Sequence, residues 1–488
     1  MIIGVIGSGG REHAICAKIL ESKKIKKLYC FPGNAGTGLI ATNVDIKIDD
    51  FDKIKNFVIK NKIDYLIVGP EKPLVDGIVD FFQKHNIKIF GPEKIAAQLE
   101  GSKIFTKKLC EKYKIPTAKF EIFKKSKEAN LFIKASSFPL VVKADGVAAG
   151  KGVYICENME SAINAVEEIF NGKFGIAENI LIEEFLSGEE MSYFIISDGK
   201  TFKKFQTAQD HKRVQEGDKG KNTGGMGAYS PSRLINKKLD QKIIEKIIKP
   251  TLKGLNKMGS QFKGFLYAGL MIVRDEPYLI EYNVRMGDPE CQTILPRLKT
   301  NLNDILAACC ENNLSSIEIE WYEEKSLCIV LCSKGYPDKY KNNVLIENIE
   351  KIHSEKKEFI YHAGTKTSKN KIYSNGGRVL NFVVMSNNFR FSREKAIKLI
   401  KKLNWPNGFY RKYIGFKVFI NENFISNIFN TFFIYSFAFT DSFLLGHNVL
   451  TFPCIPTSAL LILSGYKPRE IKLEPGSGVS SSIAANSS

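Results

Sequence analysis

No C-x-x-C pair occurs among the ten cysteines, and their spacing repeats nowhere. That argues against a zinc site or a disulfide framework and suits a reducing cytoplasm. Cys309 and Cys310 are adjacent, and Cys328 and Cys332 lie four apart in an apolar, strand-like run. The N-terminus, MIIGVIGSGG, lacks the basic region and small-residue cleavage site of a signal peptide and opens directly as a buried strand. Export is therefore not expected. A run of about 20 apolar residues is also missing. In the aromatic-dense stretch 424–445, Asn427, Asn430, Ser436, Asp441 and Ser442 interrupt it, so a membrane association is not expected. No basic cluster interleaved with aromatics and no helix-turn-helix signal appears, which argues against a nucleic-acid-binding protein. Two nucleotide fingerprints are incomplete. The dinucleotide pattern G-x-G-x-x-G that begins at Gly7 ends on Glu12, and no clear acid closes the second strand, which disfavours a hydride-transferring dehydrogenase. Walker A fails because Gly146 and Gly150 enclose only three residues and Gly152 stands where Ser or Thr would hold magnesium.

What is present is a chain of 488 residues, a prior of about three domains. Hydrophobic residues make up 44% and charged residues 25%, the balance of a globular protein with a sizeable core. Lys and Arg (71) exceed Asp and Glu (52), a net +19. The excess is mostly lysine scattered with Ile, Asn and Phe, so compositional drift competes with polyanionic or phosphorylated ligands as its cause. Residues 2–6, 27–31, 65–68 and 87–90 read as short strands separated by helices, an open parallel α/β sheet. Gly and Pro punctuate the strand ends in GSGG, PGNAG, VGPEKPL and FGPE, where such sheets hold ligands. From about 102 the pattern becomes helix, strand, glycine loop and strand (PLVVKADGVAAGKGVYIC), a helix over 161–170, and the strand ILIEEFL. FLYAGLMIV and PYLIEYNV flank a tight turn placed at 275–277, an antiparallel pair. A third α/β segment, 320–418, contains SLCIVLCS, the turn YSNGGRVL and a helix over 393–403. Beyond about 420 the lysine excess ends, with three basic residues against four acids in 421–488, and the chain finishes as GSGVSSSIAANSS. An appended extension is the leading reading of that tail, beside a partner or membrane-surface segment and an extra subdomain.

The chemistry-bearing motifs are individually modest. Gly7 to His13 follows a strand and opens a helix, whose free N–H groups suit an anion. A purely structural turn is the alternative there, and His13 could simply fill a polar contact. The glycine hairpin 146–152 joins two strands and could close over a triphosphate, with Lys143 as a point charge, although a solvated glycine turn explains it equally well. In IEEFLSGEE a strand-end carbonyl and amide could read an adenine edge while a later acid takes ribose hydroxyls. Glu281 and Asn283, two apart on a strand, place two oxygen ligands on one face, as a magnesium ion bridging phosphates requires. Arg285 follows at once and offers a fork for a carboxylate.

Taken in order, GSGGREH, PGNAGT, VGPEKPLVDG, the GSK stretch, VVKADGVAAGKGV, EEFLSGEE, AQDHKR, NTGGMGAYSP, EYNVRMGDPE and YRKYIGF resemble the phosphoribosylamine–glycine ligases of the ATP-grasp superfamily. The resemblance covers residues 1 to about 418 and leaves the tail without a counterpart. It implies an ATP-grasp α/β fold in three parts: an open parallel N-terminal domain (1–101), a grasp domain (102–319) with a small lid subdomain at about 115–190, and a C-terminal α/β domain (320–420). The implied reaction joins glycine to 5-phosphoribosylamine through glycyl phosphate, with ATP and Mg²⁺ or Mn²⁺, in a cytoplasmic monomer. Another grasp-type ligase or carboxylase acting on a related ribonucleotide is the alternative, disfavoured by PGNAGT, AQDHKR and NTGGMG. Carried over by position, Lys103, Lys143, Gly146, Gly150, Lys151 and Gly152 would hold phosphates, Glu183 and Leu186 adenine, Glu190 ribose, and Glu281 and Asn283 the metal. Arg285, Gly287, Asp288 and Pro289 would face glycine and the acyl phosphate, with Asp210 near the incoming amine. The phosphoribosyl group would lie against Gly9, Gly10, Asn34 and Glu71. His211 is left out of the catalytic set, as a residue that could be a solvated loop histidine. FLYAGLMIV offers no carboxylate for a second metal. The 146–152 loop is expected to belong to a lid, mobile without nucleotide and ordered with it.

Overall fold

The computed structural model describes residues 1–146, 152–175, 177–352 and 354–419. The heart of the glycine hairpin, including Gly150 and Lys151, and the tail from 420 therefore lie outside the described residues. Five parallel strands, β1 (Ile2–Gly7), β2 (Lys27–Pro32), β3 (Thr42–Asn43), β4 (Tyr65–Val68) and β5 (Ile89–Phe90), form the first sheet in the order β3-β2-β1-β4-β5. β1, β2, β4 and β5 are continuous buried apolar runs, as in a sheet covered on both faces. The chain leaves β1 for β2 on one side and later adds β4 on the other, so the loops after β1 and β4 share a crevice at the strands' carboxyl ends. The two-residue β3 was not foreseen, and β5 is shorter than expected.

A second, four-stranded sheet has the order β6-β9-β7-β8, with β6 (Phe120–Phe123), β7 (Leu140–Ala144), β8 (Val153–Cys156) and β9 (Ile180–Glu184). Helices Ser126–Lys134 and Met159–Phe170 pack on it. Ile133, Val142, Val166, Ile169 and Ile182 close a core separate from the rest of the chain's apolar clusters. Asn158 caps the second helix by accepting from the Ser161 N–H at 2.9 Å, so that helix starts two residues before its expected position.

The third sheet is the longest. Along it run β16 (Glu276–Asn283), β15 (Lys263–Val273), β10 (Glu189–Asp198), β11 (Phe202–Asp210), β14 (Gly227–Ser230), β17 (Lys325–Ser333), β21 (Arg378–Ser386) and β18 (Glu358–His362), with β22 (Gly408–Phe409) beside β17. Two small hairpins, β12 (Arg213–Gln215) with β13 (Lys219–Asn222) and β19 (Thr365–Ser368) with β20 (Lys371–Ser374), stand off it. The strands of segment 320–418 thus extend the grasp sheet through the β14–β17 pairing. The turn joining β15 to β16 is centred on Arg274 and Asp275, both left-handed at φ +49° and +62°, one residue earlier than expected, and Pro277 lies within β16 opposite Ile272. Helix Phe389–Leu403 begins four residues earlier than expected because Asn388 caps it. Among the described residues no helix is long and apolar enough to cross a membrane, and all nine described cysteines are free thiols.

Candidate active site

The crevice after β1 is filled by the chain's own acid. Glu12 is buried, its Oε2 accepts from the Gly9 N–H at 2.6 Å, and its Oε1 meets Arg11 Nε at 2.6 Å. A Cβ on Gly7 would lie 2.5 Å from Glu12 Cγ and one on Gly69 2.0 Å from Glu12 Oε1. Those glycines therefore leave room for a carboxylate of the chain's own, which takes the Gly9 N–H at this helix start. His13 is a structural contact, accepting from the His362 N–H through Nδ1 at 2.9 Å. Asn34 was expected to face substrate, but its side chain is consumed by the backbone. Its Nδ2 donates to Ser8 O and His362 O, both at 2.9 Å, and its Oδ1 accepts from Gly36 and Thr37. Gly10 packs against Asn381 and Gln292, while a Cβ on Gly9 would come within 3.4 Å of Asp288 Oδ2. The first domain thus abuts the turn expected to bind glycine.

That turn grows out of β16. Tyr282, Val284 and Met286 point into the core, so Glu281, Asn283 and Arg285 share the opposite, half-buried face. A bulge between Gly269 and Leu270 of β15 resets the pairing, and Gly269 lies opposite Glu281. A Cβ there would meet Glu281 Cγ at 3.2 Å, so the glycine leaves room for the carboxylate. Burial opposes the charge on Glu281, but Lys212, Lys143, Lys103 and Arg285 together hold its carboxyl below the usual range. Carboxylate and carboxamide oxygens on one face are hard donors and fit a magnesium ion. Among the described residues no group of three His, Cys, Asp or Glu side chains is placed to hold a metal by itself.

Lys143 does not stand alone as a phosphate charge. Glu183 Oε1 lies 2.8 Å from Lys143 Nζ and Glu183 Oε2 3.2 Å from Lys107 Nζ, all three residues being buried. The Glu183 side chain is therefore a counter-charge, leaving only its backbone for the adenine edge. Lys103 Nζ donates to Gly146 O at 2.9 Å, and burial lowers its pKa. Gly152 pairs back across the hairpin, its carbonyl accepting from the Ala144 N–H at 2.8 Å, and Leu186 is half-buried beyond β9.

Arg285 is held by two acids of the first domain's side, with Nη2 2.6 Å from Glu100 Oε1 and Nε 3.4 Å from Glu71 Oε2. Arg285, joined by Arg11, depresses Glu71 to about 2, whereas burial raises Glu100 to about 7 despite the same arginine. Glu71 therefore adds stability that is complete above its ordinary value of 4.5 and lost as pH falls towards 2. Replacing it by Gln should cost stability near neutrality, and urea unfolding should show the gap to the parent narrowing as the pH is lowered through that window. A gap constant with pH would show that Glu71 is not ionised against Arg285.

Asp288 and Pro289 follow, with Asp288 Oδ1 accepting from Gln292 Nε2 at 2.7 Å and lying 3.3 Å from Arg378 Nη1. Arg378 also donates to Asp288 O at 2.6 Å and to Gly224 O, joining the NTGGMG loop to this turn. Gly287 leaves space for Glu290, whose Oε2 would sit 2.3 Å from a Cβ there and whose Oε1 accepts from Ser192 Oγ at 3.0 Å. Burial, with the Glu290 charge adding to it, raises Asp210 well above the usual carboxylate range. Glu190, Asp210, Lys212, Tyr267 and Glu281 line one pocket. In it Lys212 Nζ lies 3.0 Å from Glu190 Oε2 and 3.8 Å from Glu281 Oε1. Lys212, Arg378, Glu100 and Lys107 were missed. Lys212 stands inside the quoted motif AQDHKR and Arg378 inside the quoted turn YSNGGRVL, but nothing in linear order reveals that they meet Glu281 and Asp288.

Phosphoribosylglycinamide synthetase family models match this chain in three consecutive parts: the N domain over residues 1–100, the ATP-grasp (A) domain over 101–291 and the C domain over 326–417. A phosphoribosylamine–glycine ligase from Caldanaerobacter subterraneus is 44% identical over 417 residues, covering 85% of this chain and 99% of its own. One from Agrobacterium fabrum is 45% identical, covering 86% and 100%. The crystal structure of the Thermotoga maritima phosphoribosylamine–glycine ligase superposes with a TM-score of 0.74 at 32% identity, over 85% of this chain and 100% of that one. A biotin carboxylase domain from Hydrogenobacter thermophilus, at 14% identity, TM-score 0.63 and 82% and 89% coverage, shares the fold alone. With family models matching in consecutive order and relatives above 40% identity along nearly their whole length, the chain belongs to the phosphoribosylamine–glycine ligase family.

Proposed function

We infer that this chain is an ATP-dependent ligase that joins glycine to 5-phosphoribosylamine, giving glycinamide ribonucleotide, ADP and phosphate in purine biosynthesis. The observation that carries the reading, beside the family, is the adjacency along one strand face of Glu281 and Asn283 to Arg285 and the Asp288–Pro289 turn. A group that handles phosphates and a group that handles a carboxylate are thereby neighbours. Glycine's carboxylate oxygen attacks the γ-phosphorus, ADP leaves, and glycyl phosphate forms. The amine nitrogen of phosphoribosylamine then attacks the carbonyl, loses a proton and expels inorganic phosphate. No covalent protein nucleophile is needed, and the work is positioning and charge neutralisation.

Lys103 and Lys143 approach the phosphates from the subdomain side, and Lys212 from the Glu190–Glu281 pocket. Glu281 and Asn283 would hold Mg²⁺ or Mn²⁺, hard ions suited to such oxygens, which offset the charge of the triphosphate. Arg285 would take the glycine carboxylate by exchanging a contact with Glu71 or Glu100. Gly287, Asp288 and Pro289 shape the turn beside it, and Asp210 faces the incoming amine. Gly9, Gly10 and Glu71 bound the phosphoribosyl side. Gly146, Gly152, Glu183, Leu186 and Glu190 would frame the nucleotide. The 115–190 subdomain, having its own sheet and core, serves in this reading as the lid. In this reading the acting unit is a single chain at work in the cytoplasm, where the nine described cysteines, all free thiols, would be kept reduced.

The test is product analysis with each substrate omitted in turn. ADP and phosphate should appear only when ATP and glycine are present, with full turnover requiring the amine. Stoichiometric AMP and pyrophosphate would overturn the acyl-phosphate route.

A further inference from the structure

The motif YRKYIGF has so far no role, yet its residues grip the part of the chain that carries Asp210 and Lys212. Successive residues of an extended segment point to opposite sides. Asp210 and Lys212 face the pocket, and His211 between them turns away and is buried, contrary to the solvated-loop alternative. His211 Nε2 accepts from the Gly415 N–H at 3.0 Å. Burial, reinforced by Arg411, lowers its pKa to about 4, so the imidazole is neutral and able to accept that bond. Just beyond, the β12–β13 hairpin is tied down from the same segment. Arg411, 1% exposed, donates from Nη1 to Arg213 O and to Asp218 Oδ1, both at 3.0 Å. Glu216 accepts from the N–H groups of Lys412 at 2.5 Å and Tyr413 at 3.2 Å, and Lys417 Nζ lies 3.3 Å from Asp218 Oδ2. At the hairpin's return, Thr223 closes onto Lys212 O through its N–H and its hydroxyl, both at 2.8 Å.

We propose that the Arg411–Lys417 segment is a positioning clamp for the reaction: by holding His211 and the β12–β13 hairpin it fixes Lys212 between Glu190 and Glu281 and Asp210 in the same pocket. His211 and Arg411 are positioning residues, since neither touches the pocket. The proposal rests on the reading of that pocket as the nucleotide and amine site.

The experiment uses the full chain carrying His211→Leu, His211→Gln, Arg411→Met or Arg411→Lys, each with and without Lys212→Met. Steady-state kinetics, thermal midpoint and amide exchange of residues 213–222 are measured. His211→Leu and Arg411→Met should speed exchange in the hairpin and lower kcat/KM by roughly ten- to a hundredfold, the scale of a misplacement near one ångström. His211→Gln, which retains an acceptor, should recover part of that loss. In the Lys212→Met background the same substitutions should cost less than about twofold more, because residues acting through one group are not additive. Fully multiplicative losses in that background, or faster hairpin exchange with unchanged kcat/KM, would overturn the clamp. Where Arg411→Met fails to fold, Arg411→Lys keeps the charge and removes the fork, and carries the same comparison. The exchange arm needs no turnover, so an inactive parent protein would defeat the functional reading separately from the clamp.

Discussion

Glu281→Gln should reduce kcat by roughly a hundredfold or more while weakening nucleotide binding much less, the pattern expected when charge stabilisation in the transition state is removed. The substitution keeps shape and one oxygen but deletes the carboxylate that Lys212, Lys143 and Lys103 surround. Those cations would still attract the triphosphate, so ground-state affinity is largely preserved. Turnover at saturating substrates, set beside nucleotide affinity by calorimetry, separates the two effects. A variant with unchanged kcat would remove Glu281 from the site, and a loss confined to affinity would recast it as a binding residue.

The second large effect is on stability. Glu183→Leu should lower the unfolding free energy by about 3–5 kcal/mol, the usual cost of leaving buried charge without its counter-ion. Here two ammonium groups, Lys107 and Lys143, lose one carboxylate. Adding Lys143→Met to that variant should restore part of the loss, since it deletes one of the stranded charges. Denaturant unfolding of the single and double variants measures both. A loss below about 1 kcal/mol would show that Lys107 satisfies itself through Thr117 Oγ1, 2.7 Å away, and needs no acid.

How much could be read in the linear order differs by element. Continuous apolar runs such as 65–68 announced the parallel strands, because burial on both faces leaves no alternation to confuse. β3, with only two exposed residues, has no such signature. Glu281 and Asn283 were legible because a two-residue spacing on a strand is itself geometry. The side-chain partners of Glu183 and Asn34 were not legible for the converse reason. Each sits in a motif, but what its side chain touches comes from residues far away in sequence or from backbone amides. Lys107 lies 76 positions from Glu183, and His362 O, bonded to Asn34, 328 positions away. The start of helix Phe389–Leu403 was misplaced because its amphipathic stripe is easier to see than its cap.

One sheet running from β16 to β18 also governs the order in which the molecule can be completed during synthesis. β11 and β14 pair as soon as residue 230 has emerged, but the other edge of β14 waits for β17, whose first residue is 325. At about 5–20 residues per second that edge stays bare for on the order of ten seconds. Every residue of β14 is buried in the finished sheet, so for that interval the nascent chain presents an apolar strand edge of the kind that recruits other chains. The N-terminal sheet, by contrast, has all its strands paired by residue 90, and only its packing, such as Phe90 on Phe265 and Tyr65 on Asn303, waits for later residues. Protection by ribosome-associated chaperones should therefore matter most while residues 231–325 are being made.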